Sequence, residues 1–282
     1  MHRRPALKLL LALLLTFATA HAKEAPDYGS NDTAGKYAEV NGIKLYYETY
    51  GEGDPLLLIH PNSGSISNMS PQIEEFSKRY RVIAVDSRGH GKSGVGNGRL
   101  LYPEMAEDFS VLMDQLQIKQ AKIIGWSDGG IIGLLLAINH PDKVGQMAIM
   151  GANLNPAGAY DWAQAWVARE VKRGEAALAK DPDNKEIKLY LQYFDLLGKQ
   201  PDIAVDSLKK IKNPVLVMAG DRDIIRTAHT VEIFENIPKS QLLIFPGATH
   251  MISSEDPERF NAAVTRFFEK PFSMPDTKRG FR

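Results

Sequence analysis

The chain has no cysteine among its 282 residues. That excludes disulfides, a thiol nucleophile, cysteine-ligated metal sites and a lipid carried on cysteine. It also lacks a surplus of either charge, with 34 Lys+Arg against 34 Asp+Glu. Such a balance gives no electrostatic reason to expect nucleic acid or anionic lipid as a partner. Beyond residue 22 there is no apolar run approaching the ~20 residues that a membrane-spanning helix needs, and there is no internal repeat or low-complexity segment. "GHGKSG" (89–94) lacks the first glycine of a phosphate-binding G-x-x-x-x-G-K-S loop, because Asp86 stands there.

What is present begins with an N-terminal leader pattern. Arg3, Arg4 and Lys8 precede an apolar run, Leu9 to Ala20, and Ala20-His21-Ala22 offers small residues where a signal peptidase reads. Residues 1–22 are therefore expected to be a cleavable signal peptide cut after Ala22. The mature protein would then be periplasmic or secreted, with no stable membrane insertion. Removal deletes three basic residues and no acid, leaving 31 basic against 34 acidic, or −3.

The rest is ordinary globular composition, 44% apolar and 24% charged. Residues 23–36 are polar and turn-rich and predict a flexible lead-in. "YAEVNGIKLYYETYG" predicts a hairpin around Asn41-Gly42. Short uninterrupted apolar runs at 55–60, 81–86, 121–126, 144–152, 213–220 and 241–247 read as buried strands. Helical spacing over 70–80, 102–118, 128–140, 227–237 and 256–270 separates them. This alternation predicts an α/β fold, a mostly parallel sheet with helices on both faces. One interruption, 155–207, has no strand run and two helical stretches, 159–180 and 184–198. It reads as a small helical cap, and its aromatics (Trp162, Trp166, Tyr190, Tyr193, Phe194) read chiefly as cap packing. The expected organisation is a core of 37–154 and 208–270, the cap at 155–207, and a flexible tail at 271–282.

Ser127 lies between the strand run "AKIIGW" and the helix that starts at Asp128, with Gly125, Gly129 and Gly130 around it. "GWSDG" fits the G-x-S-x-G nucleophile elbow, which holds a serine on a sharp strand-to-helix turn. An oxyanion formed by its attack would sit beside the Asp128 N–H at the helix start. A serine needs a base. Of the seven histidines, His2 and His21 fall in the leader, His140 reads as a helix C-terminal residue and His229 as part of a surface helix. His90 lies in a loop, and His60 ends a strand. His250, in "FPGATHMIS" after a strand, sits where parallel sheets place their sites. The base needs an acid, and "MAGDRDII" supplies Asp221 and Asp223 after the preceding strand.

Four landmarks in order, "LLLIHPNSGS", "VIAVDSRGHGKSG", "IIGWSDGG" and "LVMAGDRD" with "PGATH", resemble the α/β-hydrolase superfamily over about residues 37–270. The order Ser127, acid, His250 is that family's order. The resemblance implies Asp223 as the acid, as the last residue of a G-x-x-D pattern begun by Gly220. It gives Asp86 and Arg88 a bracing role. It implies Asn62, through its backbone N–H, as second oxyanion donor, because Pro61 stands where relatives carry glycine and has no N–H. The expectation is an exported serine hydrolase acting on small-molecule carboxylic esters or lactones, with catalytic Ser127, Asp223 and His250, and with no metal or organic cofactor. Serine at the elbow argues against relatives with a carboxylate nucleophile. The same triad also serves C–C bond hydrolysis, peptide hydrolysis and perhydrolysis, and a non-catalytic binding protein on this fold is the remaining alternative.

Overall fold

A computed structural model describes residues 26–281; the expected signal peptide and its cleavage position lie outside the described residues. The chain opens with β1 (Gly35–Val40) and β2 (Ile43–Tyr50), an antiparallel pair. Asn41 and Gly42 both take positive φ in the turn between them, as a two-residue hairpin requires. Then follow β3 (Pro55–Ile59), α1 (Ser70–Phe76), β4 (Arg81–Val85), α2 (Tyr102–Gln115), β5 (Ala121–Trp126), α3 (Asp128–Asn139) and β6 (Val144–Met150). Two helices, α4 (Asp161–Leu178) and α5 (Lys185–Lys199), form the cap. The chain then returns as β7 (Val215–Arg222), α6 (Thr227–Asn236), β8 (Ser240–Thr249), α7 (Ile252–Glu255) and α8 (Pro257–Glu269).

The eight strands form one sheet in the order β1-β2-β4-β3-β5-β6-β7-β8, parallel from β4 to β8 with an antiparallel edge of β1 and β2. The order reverses between β3 and β5, so the loops after these strands run apart and leave a crevice at the carboxyl end. Period-2 alternation divides the core. Leu57 and Ile59 face a cluster with Phe109 and Leu112 of α2 and Ile131 of α3, whereas Leu56 and Leu58 face Phe76 of α1 and Phe260 of α8. Among the described residues no helix is long and apolar enough to cross a membrane.

Three expectations change. The lead-in is tied down where it is described: the Gly29 and Asn31 N–H groups donate to the buried Glu48 carboxylate at 2.8 and 3.0 Å. Glu48 also accepts from the Tyr46 and Tyr50 hydroxyls, so its charge is satisfied without a cation. The tail docks at its start, with Phe272 against Phe267 and Gln241 donating to the Ser273 carbonyl. His229 is buried rather than on the surface of its helix. Its Nε2 accepts the Leu154 N–H at 2.9 Å, while Nδ1 faces Glu232.

Candidate functional site

Ser127 stands between β5 and α3 with φ +55° and ψ −117°, backbone angles that a side chain normally avoids. The strain is held by packing. The Ser127 N–H donates to the Met150 carbonyl at 2.7 Å, pulling the turn against the end of β6. On the other side α3 lies hard against β3: a Cβ on Gly129 would stand 2.0 Å from the Ile59 carbonyl oxygen, so only glycine fits. The turn leaves Ser127 half-exposed at the carboxyl rim of the sheet.

His250 and Asp223 arrive at the same rim from β8 and β7. His250 Nδ1 lies 2.6 Å from Asp223 Oδ1, which also accepts the Ile225 N–H at 3.0 Å. Asp223 is buried, while Asp221, two residues earlier, is exposed. With Nδ1 as donor to the carboxylate, the ring presents Nε2 as an acceptor. The imidazole is seated against Gly151, where a Cβ would meet it at 2.6 Å and where φ is +64°. The Trp126 indole N–H donates to the His250 carbonyl at 2.9 Å, joining the base of the elbow to the histidine loop. Among the described residues no hydrogen bond joins the Ser127 hydroxyl to the ring, whose Nδ1 is engaged by Asp223.

The Asn62 N–H and the Asp128 N–H have no backbone or side-chain acceptor among the described residues. Asp128 is the first residue of α3, and its carboxylate is buried, accepting from the Asn62 side-chain amide at 2.8 Å. Burial pushes its carboxyl up to about 6, only partly opposed by hydrogen bonds and by the charge of His250. The fully buried Tyr102 hydroxyl lies beside it without a well-formed hydrogen bond.

The remaining histidines sort by burial. His60 donates from Nδ1 to the Pro61 carbonyl at 2.7 Å and accepts the Ser87 N–H at Nε2, 3.0 Å. Burial lowers it to about 3, so it stays neutral and braces the two loops. His90 is lowered to about 4 by burial and stacks on Tyr193 of α5. His140 ends α3 and faces Glu107. Asp86 accepts the Ile66 and Lys92 N–H groups, and Arg88 pairs with buried Asp108.

Ser127 and Asp128 lie on the wall of a cavity of about 450 Å³ that runs beneath the cap. Its lining is mainly apolar, with Ala163, Trp166, Val167 and Val171 of α4, Phe194 and Leu197 of α5 and Ile225 from the core. Asn153 and Gln164 add uncharged polar groups. Trp166 and Phe194 meet edge to face at 5.2 Å, so they both pack the cap and line the cavity, whereas Trp162 is exposed. Sequence reasoning missed Tyr102, Asn153 and Gln164. Asn153 alone had a signal, since it follows a parallel strand at its carboxyl end. Among the described residues no group of three or more His, Asp or Glu side chains could hold a metal.

A family model described as alpha/beta hydrolase fold matches residues 54–189. The chain is 31% identical to 3-oxoadipate enol-lactonase 2 of Acinetobacter baylyi, covering 79% of this chain and 92% of that protein. It is 29% identical to the mouse serine hydrolase BPHL, over 94% of this chain and 98% of that protein. Among solved structures, Est816, described as an N-acyl homoserine lactone degrading enzyme, superposes with a TM-score of 0.67 at 26% identity, covering 82% of this chain and 100% of that one. The Burkholderia xenovorans enol-lactonase, at 24% identity, gives 0.70 over 83% and 100% and shares the fold. With a strained elbow after β5, loops from β7 and β8 meeting beside it, and relatives of these kinds matched over most of their length, the chain is a hydrolase and belongs to the α/β-hydrolase family.

Proposed function

We propose that the protein is a serine hydrolase that cleaves uncharged carboxylic esters or lactones through an acyl-enzyme. The observation that carries the reading is the strained Ser127 turn opening on the cavity, with the His250–Asp223 pair at the same rim. Ser127 Oγ attacks the carbonyl carbon while His250 Nε2 takes the hydroxyl proton. Asp223 keeps Nδ1 protonated and stabilises the imidazolium that forms. The oxyanion is received by the Asp128 and Asn62 N–H groups, each such donor being worth ~10²- to 10³-fold in turnover. The imidazolium then returns its proton to the leaving alcohol. Water, deprotonated by His250, next attacks the acyl carbon; the bond to Ser127 Oγ breaks as the imidazolium returns the proton to that oxygen, and the acid is released.

The cavity narrows the substrate class. Its wall at Ser127 carries a carboxyl and no cation, and the apolar stretch beyond suits a hydrocarbon body rather than a second carboxylate. The lysines on its lining, Lys172 and Lys199, lie on exposed positions of the cap, and Lys199 is paired with Asp195. Export belongs to the same proposal and rests on the leader pattern of residues 1–22.

The test is fluorophosphonate labelling with mass mapping, followed by p-nitrophenyl esters of increasing acyl length and matched half-esters of dicarboxylic acids. The reading expects a label on Ser127, loss of turnover in Ser127→Ala with folding intact, and kcat/KM that rises from acetate to longer neutral acyl groups. Unchanged turnover in Ser127→Ala would remove the nucleophile; preference for half-esters would overturn the substrate class.

A further inference from the structure

The loop that carries Asn62 is held in an unusual way. Pro61 removes both a donor and a degree of backbone freedom. Ser63, on the other side, sits at φ +55°, and the Gly64 N–H closes the turn on the Pro61 carbonyl at 3.1 Å. Between them the Asn62 side chain reaches two different parts of the molecule. Its Nδ2 donates to Asp128 Oδ2 at 2.8 Å and to the main-chain carbonyl of Tyr193 at 3.2 Å, while Oδ1 accepts the Ser63 hydroxyl. Both partners of Nδ2 are acceptors only, so the amide has one sensible orientation and both of its hydrogens are used. One bond ties the loop to the first turn of the elbow helix, and the other ties it to the cap.

Tyr193 in turn is fixed to the core. Its ring stacks on His90 with centroids 4.5 Å apart, and its hydroxyl donates to the Gly89 carbonyl. The position of α5 is thereby keyed to the 86–94 loop, and through the Tyr193 carbonyl to Asn62. If α5 shifts outward, Asn62 loses one of its two anchors.

We infer that the Asn62 side chain is a positioning residue that aligns its own backbone N–H toward the reacting carbonyl, and that it couples this alignment to the seating of cap helix α5 through Tyr193. The inference rests on the proposed Ser127 chemistry. A cap displaced to admit substrate leaves the oxyanion donor loosely held, and a cap reseated on Tyr193 restores it. The binding of a substrate that fills the cavity and the stabilisation of its transition state are therefore linked.

The test is a double-mutant cycle of Asn62→Ala and Tyr193→Phe on a p-nitrophenyl ester, with a trifluoromethyl ketone as probe of the oxyanion position. Asn62→Ala keeps the backbone N–H but removes both anchors. It should lower kcat ~10- to 100-fold, below the loss of a whole donor, with KM within ~3-fold. The inhibition constant of the ketone should rise by a similar factor, while that of the product acid stays put. Tyr193→Phe should lower kcat several-fold alone and have little further effect in the Asn62→Ala background, because neighbours in one network do not add. Asn62→Asp, similar in shape but with no donor and with a carboxylate facing Asp128, should be slower than Asn62→Ala. Additive effects, a change confined to KM, or Asn62→Asp matching the wild type would overturn the coupling. Thermal unfolding of each variant separates these outcomes from misfolding. Ser127→Ala is the independent arm: turnover surviving there would sink the site itself, whereas a dead Ser127→Ala beside an unaffected Asn62→Ala would sink only this inference.

Discussion

Two helices border the same cavity and differ in almost every physical respect. The elbow helix α3 has 12 residues, of which nine are buried, and it is wedged between β3 and β6 with no room for a Cβ at Gly129. The cap helix α4 has 18 residues, of which two are buried, and its apolar stripe faces the cavity and α5 rather than the core. The first can hold a strained residue because the surrounding backbone leaves it nowhere else to go. The second has little packing to lose. In the proposed reaction the rim holds the reacting groups, whereas α4 borders the substrate cavity and can vary with little loss of packing.

Three perturbations sharpen that contrast. The largest effect is expected on the rim's acid. Asp223→Asn should cost about 10⁴-fold in kcat by favouring the wrong histidine tautomer, while exposed Asp221→Asn should leave the rate nearly unchanged. Steady-state kinetics on one ester decides this, and the reverse result would exchange the two roles. Next is the same substitution in each region. Gly129→Ala drives a Cβ into the Ile59 carbonyl, a backbone atom that cannot move aside, and should destabilise by about 3 kcal/mol or more. Gly174→Ala in α4 meets side chains rather than backbone, Leu191 at 2.6 Å and the Tyr190 ring at 3.2 Å. There the gain in helix propensity, ~1 kcal/mol, offsets the rearrangement and the net change should be small. Urea unfolding of the two variants measures both, and equal losses would abolish the contrast.

The smallest effect concerns pH. Asp128 is raised from 3.8 to about 6 in the folded protein. Between those values the native state binds more protons than the unfolded chain, so the group's contribution to stability is greatest below pH 3.8 and declines as pH rises to about 6. The full loss is at most ~3 kcal/mol, from about 1.4 kcal/mol per pKa unit. Asp128→Asn removes that slope. Its stability relative to the wild type should therefore increase from pH 4 to pH 7, as read by chemical unfolding at a series of pH values. A constant difference would show that Asp128 does not titrate in this range. In either case the substitution reports a cost of keeping a carboxyl beside the elbow, a cost the cap does not bear.

The residues alone carried most of the frame. Continuous apolar runs mark strands buried on both faces, and the hairpin at Asn41-Gly42 marks the antiparallel edge. The glycines around Ser127 mark a turn too tight for side chains. These features are local or periodic, so they survive being read one segment at a time. Helix ends were less legible. The first helix stops at Phe76 rather than at residue 80, where the chain turns to enter β4. Only tertiary structure decided which acid meets His250, because Asp221 and Asp223 lie two positions apart in sequence, yet Asp223 is buried against the ring and Asp221 is exposed. It alone buried His229, tied the lead-in to Glu48, and laid the Asn62 amide between Asp128 and Tyr193, 66 and 131 residues away. The physical reason is common to all four. Periodicity and turn chemistry act over neighbouring residues, whereas the choice of a hydrogen-bond partner for a buried polar group depends on which distant segment the packed core brings within about 3 Å.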